Sequence, residues 1–200
     1  MSDSDLAEDV YLKMVCDFLR DNQEWYLKRF GYAACELWLC SEICNILNFD
    51  HNASLDKLNK FCFNEIEKRD LTIYENTANG LAKMLSHIEV KLLYPAYQKS
   101  KKKGKLDELV KKLSSDSEKL GKSGWIFMVW TSANAGSYKE SSDFFNDAFE
   151  EIKKYFDMKN NDYVTSSFGV IDIIGDVFGW RGGEKEIIVK AIAVNHIPEN

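Results

Sequence analysis

A chain of 200 residues can bury one full core, and 45% apolar with 29% charged residues is ordinary for a globular domain. The 32 acidic side chains outnumber 26 basic ones, a net charge of −6, which argues against a surface that coats nucleic acid or anionic membrane as a whole. A single local basic groove remains compatible with that balance, and so does an acidic protein that neutralises a basic partner. No apolar run reaches the roughly eighteen residues of a spanning helix, and the acidic opening MSDSDLAEDV does not read as a secretory signal. Five cysteines, an odd number gathered in the first third at 16, 35, 40, 44 and 62, suit reduced thiols in a cytoplasmic protein better than a disulfide framework.

The periodicity of LAEDVYLKMVCDFLRDNQEWYLKRFG predicts a first helix, with Gly31 as its stop. YAACELWLCSEICNILNF predicts a second helix, apolar on most sides and therefore buried. FCFNEIE, RDLTIYE and HIEVKLLY have strand composition. The lysine-rich KSKKKGK at 99–105 reads as a loop, either solvated or placed to contact phosphates. KLDELVKKLSSDSEKLG predicts a helix with Leu106, Leu109, Val110 and Leu113 inward, and GWIFMVWTS a strand covered on both faces, with Trp125 and Trp130 in the core. The small polar loop TSANAGS follows. SSDFFNDAFEEIKKYFD predicts an amphipathic helix, and SFGVIDIIGDVFGW and KEIIVKAIAV predict two strands joined at the turn signal RGGE. The predicted order α-α-β-β-β-α-β-α-β-β describes a single α/β domain over residues 1–200, built around a mixed sheet.

Charged residues inside the apolar segments carry the functional signal. In HIEVKLLY, alternation sends Ile88, Val90 and Leu92 to one face, and His87, Glu89, Lys91 and Leu93 to the other. In RDLTIYE, Asp70, Thr72 and Tyr74 share a face. If these strands are neighbours, two carboxylates and an ammonium meet at one spot. On the second helix, Glu42 shares a stripe with Cys35, Trp38, Leu39, Ile46 and Phe49, where an ionised carboxylate is costly unless compensated. A divalent cation removes the repulsion among such acids and takes their oxygens as ligands. It can also acidify a water and stabilise charge growing on a phosphate. The lysine can hold the nucleophile or the transition-state oxygens.

Asp70, a gap of eighteen residues, then Glu89-Val90-Lys91, with Glu42 on a preceding helix, resembles the PD-(D/E)XK nuclease superfamily. The resemblance spans about residues 30–131 and implies a restriction-endonuclease-like α-β-β-β-α-β core. An extra N-terminal helix precedes that core, and a C-terminal helix plus hairpin elaborates it over 132–200. It implies a magnesium- or manganese-dependent endonuclease acting on nucleic acid, more often DNA. Asp70 and Glu89 would bind the metal, Val90 would lend its backbone carbonyl, Lys91 would position or stabilise the reacting groups, and Glu42 would assist. By analogy it suggests a setting in bacterial defence or restriction, and pairing of two copies as a way to cut both strands. Arg69 stands where the family often has proline.

A second Glu-x-Lys, Glu151-Ile152-Lys153, falls on the amphipathic helix and reads as surface charge. For Glu89 and Lys91 the structural alternative is a cross-strand salt bridge on a solvated sheet face. His87 reads as a strand-edge residue, or as one bordering a metal. Without a Cys-x-x-Cys pair, the clustered thiols read as small buried hydrophobes rather than an iron–sulfur or zinc site. Two rival functions remain: a catalytically inactive nuclease-fold binding subunit, and an acidic inhibitor or immunity protein that covers a basic toxin.

Overall fold

The computed structural model describes residues 5–23, 36–49, 55–64, 70–93, 123–131, 142–157, 163–175 and 185–196. Helix α1 (Asp5–Asp21) is followed by α2 (Glu36–Phe49) and a 3-10 turn at Leu55–Leu58. Then come β1 (Lys60–Asn64), β2 (Leu71–Asn76), β3 (Ala82–Leu93), β4 (Ser123–Thr131), α3 (Ser142–Asp157), β5 (Tyr163–Gly175) and β6 (Lys185–His196). The fold is α/β. Among the described residues, no helix is long and apolar enough to cross a membrane.

Among the described residues the strands form one mixed six-stranded sheet in the order β1-β2-β3-β4-β6-β5. β1, β2 and β3 pair antiparallel, β3 and β4 parallel, and β4, β6 and β5 antiparallel. The helix predicted at 105–121, the lysine loop at 99–105, the TSANAGS loop after Thr131, the RGGE turn, Cys35 and Trp180 lie outside the described residues.

Alternation assigns the two faces of the sheet. Cys62, Leu71, Ile73, Ile88, Val90, Trp125, Phe127, Val189, Ala191 and Ala193 share one core with Leu12, Val15 and Leu19 of α1 and Leu39, Cys40, Ile43, Cys44, Ile46 and Leu47 of α2. Both helices therefore cover the same face. On the other face Ile126, Met128, Ile188, Ile192 and Val194 are buried, and α3 packs against β4, β5 and β6 there. α3 buries Phe149, Ile152 and Phe156. Lys190 reaches α3 from the sheet, donating to Asn146 Oδ1 at 2.6 Å with its ammonium 5.0 Å from the Phe149 ring centre.

Two local devices shape the antiparallel end. Between β2 and β3 the chain reverses through Thr77–Leu81, with Gly80 at φ +74°, a left-handed conformation that glycine adopts without a Cβ penalty. Asn79-Gly80 is a strong hairpin signal, and it starts β3 at Ala82 rather than at the predicted His87. His87 is thus mid-strand, not at a strand edge. Next to it, a register shift between Ile73 and Tyr74 pairs Ile73 with Ser86 and Tyr74 with Met84, leaving Leu85 as the extra residue.

β1 borders the sheet, and its outward backbone is occupied. The Asn48 amide donates to the Cys62 carbonyl and accepts from the Cys62 N–H, both at 2.8 Å. One side chain on α2 thereby takes the place of a neighbouring strand at the centre of β1.

Candidate active site

β2 begins at Leu71, opposite Ile88. Beyond that pair β3 runs on and takes β4 as its parallel neighbour, from Glu89 opposite Gly124 to Leu93 opposite Met128. Asp70 stands at this divergence. Its Oδ2 accepts the backbone N–H of Val90 at 2.8 Å, a bond that continues the β2–β3 ladder where backbone pairing stops.

Lys91 Nζ lies 3.8 Å from Asp70 Oδ2 and 3.9 Å from Glu89 Oε2. Lysine thus stands between two carboxylates drawn from neighbouring strands. The three side chains are 27% (Asp70), 14% (Glu89) and 22% (Lys91) exposed, shielded enough to strengthen their mutual attraction yet open to a ligand. Along the same face Thr72 is fully buried and its hydroxyl is 3.0 Å from His87 Nδ1. Asp70, Thr72, His87, Glu89 and Lys91 form one continuous polar column, with Val90 and Ile88 turned to the core behind it.

Glu42 is placed differently. The buried stripe of α2 runs through Leu39, Cys40, Ile43, Cys44, Ile46 and Leu47, and Glu42 is half-buried on its flank. The predicted stripe shared only Leu39 and Ile46 with it; Trp38 is partly buried and Phe49 is exposed. α2 packs on the face that Val90 and Ile88 line, away from Glu89 and Lys91. The Asn64 amide, donating to Ser41 Oγ at 3.1 Å, sets the first half of α2 level with the Asn64–Leu71 pair, the strand end where Asp70 stands. Glu42, next in sequence to Ser41, is therefore near that end of the sheet, on the α2 side.

Among the described residues, no three His, Cys, Asp or Glu side chains converge as a protein-only metal cage. The donors gathered about Lys91 are two carboxylates, with the Val90 peptide between Glu89 and Lys91. That sparse set fits magnesium, which takes one or two carboxylates and completes its shell with water and phosphate oxygens. Among the described residues it lacks the thiolate and imidazole ligands typical of zinc and iron–sulfur sites.

Among the described residues, Cys16, Cys40, Cys44 and Cys62 are buried thiols. Cys44 Sγ and Cys62 Sγ are 3.2 Å apart. That hydrogen bond and burial both push the Cys62 thiol up, and burial pushes Cys16 up to about 12. Cys16 and Cys62 thus stay neutral, as core thiols do.

One group escaped the reading of the sequence. Phe61, Phe63 and Tyr74 interlock on the polar column's side of the sheet, Phe61 stacked on Tyr74 at 5.5 Å and Phe63 edge-on to Phe61 at 5.3 Å. The alternating Phe61-Cys62-Phe63 was its signal. No model of a known protein family matches the chain, and neither a curated protein nor a solved structure shows significant similarity to it.

Proposed function

We propose that the protein is a divalent-metal-dependent phosphodiesterase that cleaves nucleic acid, with DNA as the favoured substrate. The observation that carries this reading is the meeting of Asp70, Glu89 and Lys91 where β2 ends and β3 continues alongside β4. The antiparallel β1-β2-β3 followed by a parallel β4, with a helix before β1, supports the PD-(D/E)XK resemblance on grounds independent of the Glu-x-Lys spacing.

In this reading Asp70 and Glu89 hold magnesium or manganese, with the Val90 carbonyl as a further ligand. The bound ion would supply charge to a phosphate and acidity to a water. Lys91 contributes a fixed positive charge beside both acids, suited to orienting a nucleophile or stabilising oxygens that gain charge. The hydrogen bond from Val90 N–H fixes one oxygen of Asp70, so its orientation is set before any ligand arrives. Glu42 assists from the strand end.

The test is incubation with plasmid, single-stranded DNA and RNA, each with magnesium, manganese or chelator. Metal-dependent cleavage by the wild type, lost in Lys91→Ala with the fold retained, is the expected result. Cleavage that survives both Lys91→Ala and Asp70→Ala overturns the assignment.

A second reading is favoured by a specific observation: only two carboxylates converge among the described residues, and both lie within ion-pair reach of Lys91. The same cluster would then be a strand-end lock in a nuclease-fold binding subunit. That reading predicts binding without cleavage, and a stability loss on Lys91→Ala.

A further inference from the structure

Two nucleophilic side chains outside the acid–lysine group touch each other. Cys44 of α2 and Cys62 of β1 bring their sulfurs to 3.2 Å across the seam between helix and sheet, about 1.2 Å more than the ~2.05 Å of a disulfide. The backbone beside the contact is fixed. Asn48, about one turn beyond Cys44, binds both the N–H and the carbonyl of Cys62 at 2.8 Å. Helix and strand therefore cannot slide past each other here without breaking both bonds. The pair lies on the core face of the sheet, opposite to the face that carries Glu89 and Lys91.

We propose that Cys44 and Cys62 are a redox-sensitive clamp, joined reversibly as a disulfide by a hydroperoxide, that locks α2 to the border strand β1. The inference does not rest on the phosphodiesterase reading. Three observations select this pair. First, the sulfurs already touch, so the bond-forming step needs no search for a partner. Second, exposure orders the steps: Cys44 is 8% exposed and Cys62 1%, so Cys44 meets an oxidant first when the seam opens locally. Third, the two are 18 residues apart in sequence, so their bond closes a loop that restrains the unfolded chain.

The chemistry balances with hydrogen peroxide as the oxidant. Its O–O bond breaks as one oxygen bonds to the Cys44 sulfur, giving a sulfenic acid and one water. The Cys62 sulfur then attacks the Cys44 sulfur. The S–O bond breaks, the Cys62 proton leaves with the hydroxyl as a second water, and the S–S bond forms. Burial and the bond to Cys44 hold the Cys62 proton in place, so this step draws on contact rather than on a ready thiolate. A dithiol reverses the change by forming its own disulfide. In a reducing compartment the pair stays open until oxidant rises.

The experiment treats the full chain with hydrogen peroxide, without denaturant, and maps the thiols by mass. Trypsin with a glutamyl endopeptidase places each of the five cysteines on its own peptide. The chain should lose two hydrogens, with the Cys44 and Cys62 peptides joined. Its urea midpoint should rise by about 1 M, and dithiothreitol should undo both changes. In Cys62→Ala the join should vanish and Cys44 should keep added oxygen instead; if that variant fails to fold, the wild-type map decides. Cys44 that gathers oxygen in the wild type without joining Cys62 overturns the proposal. So does a join between any other pair, a join that forms only in urea, or a joined chain whose midpoint does not rise.

Discussion

Asp70 and Val90 are joined through an unlike pair of groups: a side-chain carboxylate completes the hydrogen bonding of a backbone N–H at 2.8 Å. Asp70 thus has two separable duties. It ends the β2–β3 ladder, and it presents a negative charge to Lys91 and, in the proposed function, to a metal.

The two duties separate by substitution. Asparagine can still accept the Val90 N–H but carries no charge. Asp70→Asn should therefore hold its denaturation midpoint near wild type while cleavage falls at least about a hundredfold, in the range seen when a key electrostatic group is removed. Asp70→Ala should lose the cleavage and also about 1–2 kcal/mol of stability, because a shielded N–H is left without its partner. Urea titration of both variants beside a cleavage assay checks this.

The core and the ring face should respond differently to truncation. Phe127 is fully buried, and Phe127→Ala should cost about 3–5 kcal/mol through lost burial and a cavity. Phe63 is half in solvent, and Phe63→Ala should cost well under half as much. Trp125 is buried with an indole N–H that finds no hydrogen-bond partner among the described residues. Trp125→Phe removes that orphan donor, worth about 1–3 kcal/mol, and so should be milder than Phe127→Ala. Denaturant midpoints at constant slope rank the three.

The buried thiols predict a weakness at high pH. Burial raises Cys16 from 9.0 to about 12, and Cys62 moves in the same direction. The folded state therefore holds these protons more tightly than the unfolded chain does. The Cys16 contribution is complete below the ordinary thiol value of 9.0 and is lost as pH rises from there towards 12, and that of Cys62 is lost in the same direction. Urea midpoints should fall between pH 8 and pH 11, and the fall should be shallower in Cys16→Ala. At neutral pH, a thiol reagent should modify Cys16, Cys44 and Cys62 only as fast as the protein opens.

Much of the site was legible because strand alternation is a strict rule. Ile88 and Val90 inward required Glu89 and Lys91 outward, and the same parity put Asp70 and Thr72 on that side of β2. Glu42 was harder to place because α2 is apolar nearly all round. Two stripes sharing Leu39 and Ile46 fit its sequence, and packing against Leu71, Ile73, Ile88 and Val90 selected the one centred near Ile43, leaving Glu42 on the flank. The start of β3 was missed for another reason. Leu85 is an extra residue in the ladder, so Lys83-Met84-Leu85-Ser86 breaks the period of two that would have revealed a strand. The ring cluster depends on which strand lies beside Phe61 and Phe63, a long-range fact that local pattern does not carry.

The central claim is that Asp70 and Glu89 together receive a divalent cation, and calorimetric titration of manganese into wild type, Asp70→Asn, Glu89→Gln and Lys91→Ala tests it most directly. The account predicts one ion bound by the wild type and by Lys91→Ala, with binding lost in each acid variant. Equal manganese binding in wild type and both acid variants, or none in the wild type, would contradict it.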